Sequence, residues 1–120
     1  MSLSFPRRIL SVSHDPWLLS TREQLLHYAG FGVESKISIK HAIDALESSS
    51  FDLVLIGHTV LAAERAEFIA HCRNTAPSTP IVFVSALSEP EVELLADATT
   101  GPMPGDVVST IDRILNSPNS

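Results

Sequence analysis

Four short groups of polar residues in this 120-residue chain each follow directly on an apolar run. Ser13-His14-Asp15 follows Ile9–Val12, and Gly57-His58-Thr59 follows Leu53–Ile56. Ser85-Ala86 follows Ile81–Val84, and Thr100-Gly101-Pro102 follows Ala98-Thr99. Three of these side chains, His14, Asp15 and His58, are metal-ligand types, and imidazole combined with carboxylate suits a transition metal better than Mg²⁺. A simpler assignment covers the same residues. Asp15 precedes Pro16, the pairing of an N-cap residue with proline at the first helical position, and the two histidines then line a solvated rim. That assignment is preferred, so no metal site is assigned. No nucleophile, base and orienting acid stand at a usable spacing. No Gly-rich phosphate loop follows the first apolar run. The sequence therefore predicts no catalytic residue and no cofactor. Cys72 sits among apolar helical neighbours and is expected to be a packed thiol rather than a reactive one.

The elements that must position these groups can be traced from hydrophobic period. Ile9–Val12 predicts a first strand. Leu18, Leu19, Arg22, Leu25, Leu26 and Ala29 recur at helical spacing, and Gly30 is placed to end that helix. Gly32–Ile37 predicts a second strand. Ser38 can cap a helix that buries Ile39, Ala42, Ile43 and Leu46 and stops at the Ser48-Ser49-Ser50 run. Leu53–Ile56 and Ile81–Val84 are continuous apolar strands of the kind found in the middle of a parallel sheet. Between them a helix over Ala62–Arg73 offers Ala66, Ile69, Ala70 and Cys72 for packing. Glu89–Ala96 allows only a short helix, and Ala98-Thr99 a short last strand. Val107, Val108, Ile111, Ile114 and Leu115 mark a final amphipathic helix. Strands alternating with helices imply right-handed βαβ units and an α/β, doubly wound, five-stranded parallel sheet. In that architecture the functional crevice lies beyond the carboxyl ends of the strands, where the four polar groups fall.

The length predicts a single domain over 1–120, with a core from 8 to 115 and a polar tail over 116–120. Hydrophobic residues make up 44% of the chain, enough for one packed interior. The formal net charge of −6 argues against a surface built for nucleic acid or for anionic lipid. One cysteine allows no internal disulfide. Met1–Arg8 has no long apolar stretch, and no run approaches membrane-spanning length, so a cytoplasmic domain is expected.

Three stretches carry a resemblance to the receiver domain of bacterial two-component response regulators: Ile9–Pro16, Phe51–His58 and Pro80–Ala86. The resemblance extends from Arg8 to Leu115. In receivers the first strand ends in two acidic residues that hold Mg²⁺; the matching positions here are Ser13 and His14. Asp15 matches a third acidic position. The third strand ends in the aspartate that accepts the phosphoryl group; the matching residue is Gly57. Ser85 matches the serine or threonine that contacts that group. The lysine before a proline is matched by Gly101 before Pro102. The segment between Ser85 and Gly101 is shorter than the family's by roughly a turn and a half of helix. The chain therefore resembles a degenerate receiver, with the backbone pattern kept and the phosphorylation chemistry lost.

What the resemblance implies is a module that does not depend on phosphorylation. It would bind a protein partner or a second copy of itself through the face made by the last helix and the edge beside it, with Val107, Ile111, Asp112 and Arg113 as the expected contact residues. A small-ligand or transition-metal sensor using the altered crevice is the alternative. An enzyme is the least favoured of the three, because phosphoryl transfer requires a metal and a cation to neutralise charge and the matching positions supply neither.

Overall fold

The computed structural model describes residues 6–85 and 96–116. Five strands, β1 (Arg8–Val12), β2 (Gly32–Lys36), β3 (Leu53–Ile56), β4 (Ile81–Val84) and β5 (Ala98–Thr100), form one parallel sheet in the order β2-β1-β3-β4-β5. Among the described residues four helices accompany it: α1 (Pro16–Tyr28), α2 (Ile39–Ser48), α3 (Ala62–Thr75) and α4 (Pro104–Leu115). The interior position of β1 is visible in its register, since Val12 stands between Lys36 of β2 and Ile56 of β3. The short helix expected over Glu89–Ala96 lies, apart from Ala96, outside the described residues.

Both faces of the sheet are covered, and the alternation of side chains along each strand divides the core in two. Leu10, Val12, Val54, Ile56, Ile81 and Phe83 face α2 and α3, meeting Ala42, Leu46, Phe68, Ile69 and Cys72. Ile9, Leu53, Leu55, Val82 and Val84 face the other way, toward Leu26 of α1 and Val107 and Ile111 of α4. This is why β3 and β4 contain no polar residue: every position has a packed face to meet.

The helix ends follow their local chemistry. Asp15 Oδ1 accepts from the backbone N–H of Trp17 at 2.9 Å and of Leu18 at 3.3 Å, which caps α1 at Pro16. At the other end Gly30 takes φ 101°, a left-handed conformation that a side chain would resist. Gly30 N–H then donates to His27 O at 3.0 Å and Phe31 N–H to Leu26 O at 3.0 Å, a Schellman ending sealed by burial of Phe31 beside Leu26. Ser38 Oγ accepts from His41 N–H at 3.2 Å and starts α2.

Helix α3 departs from the sequence expectation. It runs to Thr75, and its buried face is Arg65, Phe68, Ile69 and Cys72, whereas Ala66 and Ala70 are exposed. The face is rotated because Arg65 turns inward. Its guanidinium lies 4.6 Å from the centroid of the Phe83 ring, and Nη1 donates to Val60 O at 2.9 Å. Cys72 is fully buried, and that burial pushes its thiol up to about 12, so it stays protonated and unreactive at neutral pH. No helix among the described residues is long and apolar enough to cross a membrane.

Val107 and Ile111, expected above at a partner surface, are both 0% exposed. They hold α4 against β4 and β5 and cannot themselves be contacts, because the apolar face of α4 is consumed by the sheet. Asp112 and Arg113 are exposed. Truncating Ile111→Ala removes a buried side chain from this seam and should destabilise the fold by about 2–5 kcal/mol. Denaturant unfolding should show a lower midpoint, whereas Asp112→Ala should leave it nearly unchanged.

Candidate functional site

The carboxyl edge of the sheet gathers Ser13-His14-Asp15, Gly57-His58-Thr59, Ser85 and Thr100-Gly101, as the topology requires; Ala86 lies outside the described residues. Ser13 is fully buried there, with its Oγ 2.8 Å from Thr59 Oγ1. Ser13 Oγ accepts from Asp15 N–H at 3.2 Å, and Thr59 Oγ1 accepts from His14 N–H at 3.0 Å. The turn after β1 is thereby laced to the loop after β3. Thr59 carried no role in the sequence reading beyond its place at a strand end; only knowledge that β1 and β3 are neighbours would have paired it with Ser13.

His14 turns away from the crevice centre. Its Nδ1 is 2.8 Å from Ile37 O and its Nε2 is 3.0 Å from Glu64 Oε1. Both partners accept, so the ring satisfies them together only when both nitrogens carry protons. The carbonyl of Ile37 and then the carboxylate of Glu64 raise the His14 pKa above its ordinary 6.5, against a smaller opposing effect of burial. Asp15 is occupied by its cap. His58 is half-buried, and its Nδ1 meets no hydrogen-bond partner among the described residues. His14, Asp15 and His58 therefore do not converge. Among the described residues no group of three or more His, Cys, Asp or Glu side chains is arranged to hold a metal ion. The three candidate ligands differ in task or direction: His14 spans two acceptors, Asp15 caps α1, and His58 is half-buried.

The centre of the crevice belongs to a residue that sequence reasoning placed on a helix face and nowhere else. Arg22 reaches across from α1 and is only 6% exposed. A Cβ built on Gly57 would lie 2.8 Å from Arg22 Nη1 and 3.3 Å from Ser13 Oγ. Gly57 thus leaves the space that the guanidinium fills. Burial pushes the Arg22 pKa down, and the nearby charge of Asp15 partly restores it. At the end of β5, a Cβ on Gly101 would lie 3.3 Å from Asp106 Oδ2, so a carboxylate stands beside the position where the resemblance calls for a lysine. Ser85 sits half-buried at the end of β4, with its N–H donating to Thr100 O at 2.9 Å. A separate hollow of about 340 Å³, lined in part by Ser50, Phe51, Ala76 and Thr79, lies at the opposite end of the sheet, away from every one of these groups.

A sheet of order β2-β1-β3-β4-β5 with polar groups beyond its carboxyl edge defines an open, doubly wound α/β protein of the flavodoxin-like class. Within that class its architecture is that of CheY-like receiver domains. A receiver domain protein from Methanospirillum hungatei superposes with a TM-score of 0.84 at 23% identity, over 93% of this chain and 95% of its own. A two-component response regulator from Clostridium difficile gives 0.81 at 19% identity, over 95% and 99%. HP1043, an orphan response regulator of H. pylori, gives 0.77 at 19% identity, over 92% and 97%. The likeness at these identities is one of fold. No family model matches the sequence, and no curated protein matches it.

The paired acceptors around His14 make the fold pH-dependent. Because the folded pKa is raised, the stabilisation is fully present below the ordinary value of 6.5 and is lost as pH rises through the higher folded value. Both partners are about one-third exposed, at 32% and 39%, so the effect should stay below about 1 kcal/mol. An NMR titration should find His14 titrating above 6.5, and Glu64→Gln should bring that value down. Titration of His14 at or below 6.5 would contradict the arrangement.

Proposed function

We propose that this chain is a degenerate receiver that works without phosphorylation, as an interaction or signalling module in the bacterial cytoplasm. The observation that carries the reading is the pairing of Gly57 with Arg22. The residue matching the phosphoacceptor has no side chain, and the space such a side chain would enter lies 2.8 Å from a buried guanidinium nitrogen. The supporting positions point the same way. Mg²⁺ prefers carboxylate, carbonyl and water oxygens. Ser13 is tied to Thr59, His14 faces Ile37 and Glu64, and Asp15 is held in a helix cap. Gly101, beside Asp106, supplies no cation.

Loss of phosphotransfer leaves the surface as the means of signalling. The partner is a protein or a second copy of the chain. Since Val107 and Ile111 are buried, the contact on α4 falls to the exposed Asp112 and Arg113 and their surroundings. A second reading, a sensor of a small ligand at the crevice, is favoured by one observation: Arg22 is buried there without a hydrogen-bonding partner among the described residues.

Incubation with Mg²⁺ and a small-molecule phosphodonor should give no stable increase in mass, and millimolar Mg²⁺ should leave the melting temperature unchanged. Gly57→Asp alone should not restore turnover, because the metal ligands and the lysine remain absent and the new carboxylate would stand beside the Arg22 guanidinium. A stoichiometric acyl-phosphate adduct on the wild-type protein would refute the reading. For the surface, Asp112→Lys combined with Arg113→Glu should reduce self-association or partner capture in sedimentation while the fold survives, since exposed substitutions cost within about 0.5 kcal/mol. A complex unaffected by that double change would place the contact elsewhere.

A further inference from the structure

We propose that the crevice is a non-covalent site for one oxyanion, a carboxylate or phosphate group, held by the Arg22 guanidinium with a hydroxyl of the Ser13–Thr59 pair. The proposal rests on the reading that the crevice no longer carries phosphotransfer, and it adds the chemistry of what the crevice takes instead.

The first observation is an arginine that is 6% exposed and yet makes no hydrogen bond or ion pair with any described residue. Removing a charge from water is costly, and a buried cation without a partner is among the least favourable arrangements a protein keeps. The nearest carboxylate, Asp15, attracts Arg22 through space, but its Oδ1 is engaged with the N–H groups of Trp17 and Leu18. It holds the helix cap and does not pair with the guanidinium. The other buried arginine is treated differently: Arg65 has a carbonyl acceptor and an aromatic ring. An arginine offers five N–H donors in a planar fork that matches a carboxylate or phosphate.

The second observation concerns the hydroxyl pair. Ser13 Oγ accepts from Asp15 N–H and Thr59 Oγ1 accepts from His14 N–H, and the two oxygens share one hydrogen bond of 2.8 Å. Two hydroxyls carry two protons, and that bond uses one. When Thr59 donates, the Ser13 proton has only a 3.5 Å contact with Asp15 O available to it. Arg22 Nη1 and Ser13 Oγ lie side by side over Gly57, 2.8 and 3.3 Å from where its Cβ would stand. A cationic donor and a hydroxyl are thus neighbours over a strand end that carries no side chain. No Arg22 nitrogen is among the fully buried, unpartnered side-chain atoms of the described residues, so the guanidinium keeps some contact with solvent.

The setting indicates how the anion is presented. Among the described residues five large apolar side chains are exposed: Trp17, Tyr28, Ile37, Leu61 and Met103. All but Tyr28 lie just beyond the carboxyl ends of strands, around the crevice mouth. A carboxylate delivered by a partner's side chain would meet apolar surface around it, whereas free phosphate would use the cationic centre alone.

The test is thermal unfolding of the whole chain in millimolar inorganic phosphate, acetate or chloride at matched ionic strength, repeated on Arg22→Met and Arg22→Lys. The expected result is a rise in melting temperature with phosphate or acetate over chloride, since a ligand of the folded state stabilises it. The rise should be absent in Arg22→Met and reduced in Arg22→Lys. General salt effects act on all three proteins alike and cancel in the comparison. A response to phosphate but not acetate identifies a free tetrahedral anion. A response to acetate identifies a carboxylate, the form a partner's acidic side chain supplies. Arg22→Met should also match or exceed the wild type in chloride, because it removes an unpaired charge while keeping an apolar stem. No anion response, a response that survives in Arg22→Met, or a marked loss of stability in that variant would each overturn the proposal; the last would make Arg22 a structural filler. Failure here leaves the phosphodonor result untouched, so the two readings stand or fall separately.

Discussion

A parallel sheet covered on both faces leaves its inner strands β3 and β4 no exposed side, and that constraint organises this protein. β3 and β4 have only apolar side chains because each residue points into one of two cores. Polar chemistry is thereby pushed past the strand ends, and the common direction of the strands brings those ends together along one edge. The site is therefore a consequence of how the core is built. It also inherits the rigidity of that core, since Ser13 and Gly57 follow directly on fully buried strand residues.

The fold was largely legible in the sequence because the same constraint writes itself into it. Leu53–Ile56 and Ile81–Val84 are uninterrupted, Asp15-Pro16 marks a helix start, and Gly30 marks its end. Helix α3 is less legible because its buried face includes Arg65, and a hydrophobic period counts an arginine as outside. The spacing of Val107 and Ile111 marks the apolar face of the last helix but does not say that the sheet, and not a partner, takes up that face. The site was legible as a set of positions and opaque as a set of contacts. His14, Asp15 and His58 look alike on paper as ligands, yet one bridges two acceptors, one caps a helix and one stands apart.

Arg22 illustrates why such contacts escape a one-dimensional reading. Its place on the inner face of α1 was apparent from spacing, but its destination depends on the absence of a side chain 35 positions later, at Gly57. A glycine at a strand end seldom carries meaning by itself. Beside a long cation arriving from a neighbouring helix, it determines the sign of the charge at the centre of the crevice. In this chain a guanidinium stands where the resemblance calls for carboxylates, and an acid, Asp106, stands beside the position where it calls for a cation. The charges at the crevice are thus the reverse of those that the resemblance implies.

The place of β1 within the sheet has a consequence for synthesis. Although first in the chain, β1 lies between β2 and β3, so the early segment β1-α1-β2-α2 is only half a neighbourhood. Until residues 53–56 leave the ribosome, the inner edge of β1 presents unpaired backbone groups, with Ile9, Leu10 and Val12 beside them. Such an edge is a template for pairing with other chains. The cross-links from Ser13 to Thr59 and from His14 to Glu64 span 46 and 50 residues and close only after β3 has docked. A nascent chain whose second strand has emerged but whose third has not is consequently exposed to misassembly at this edge.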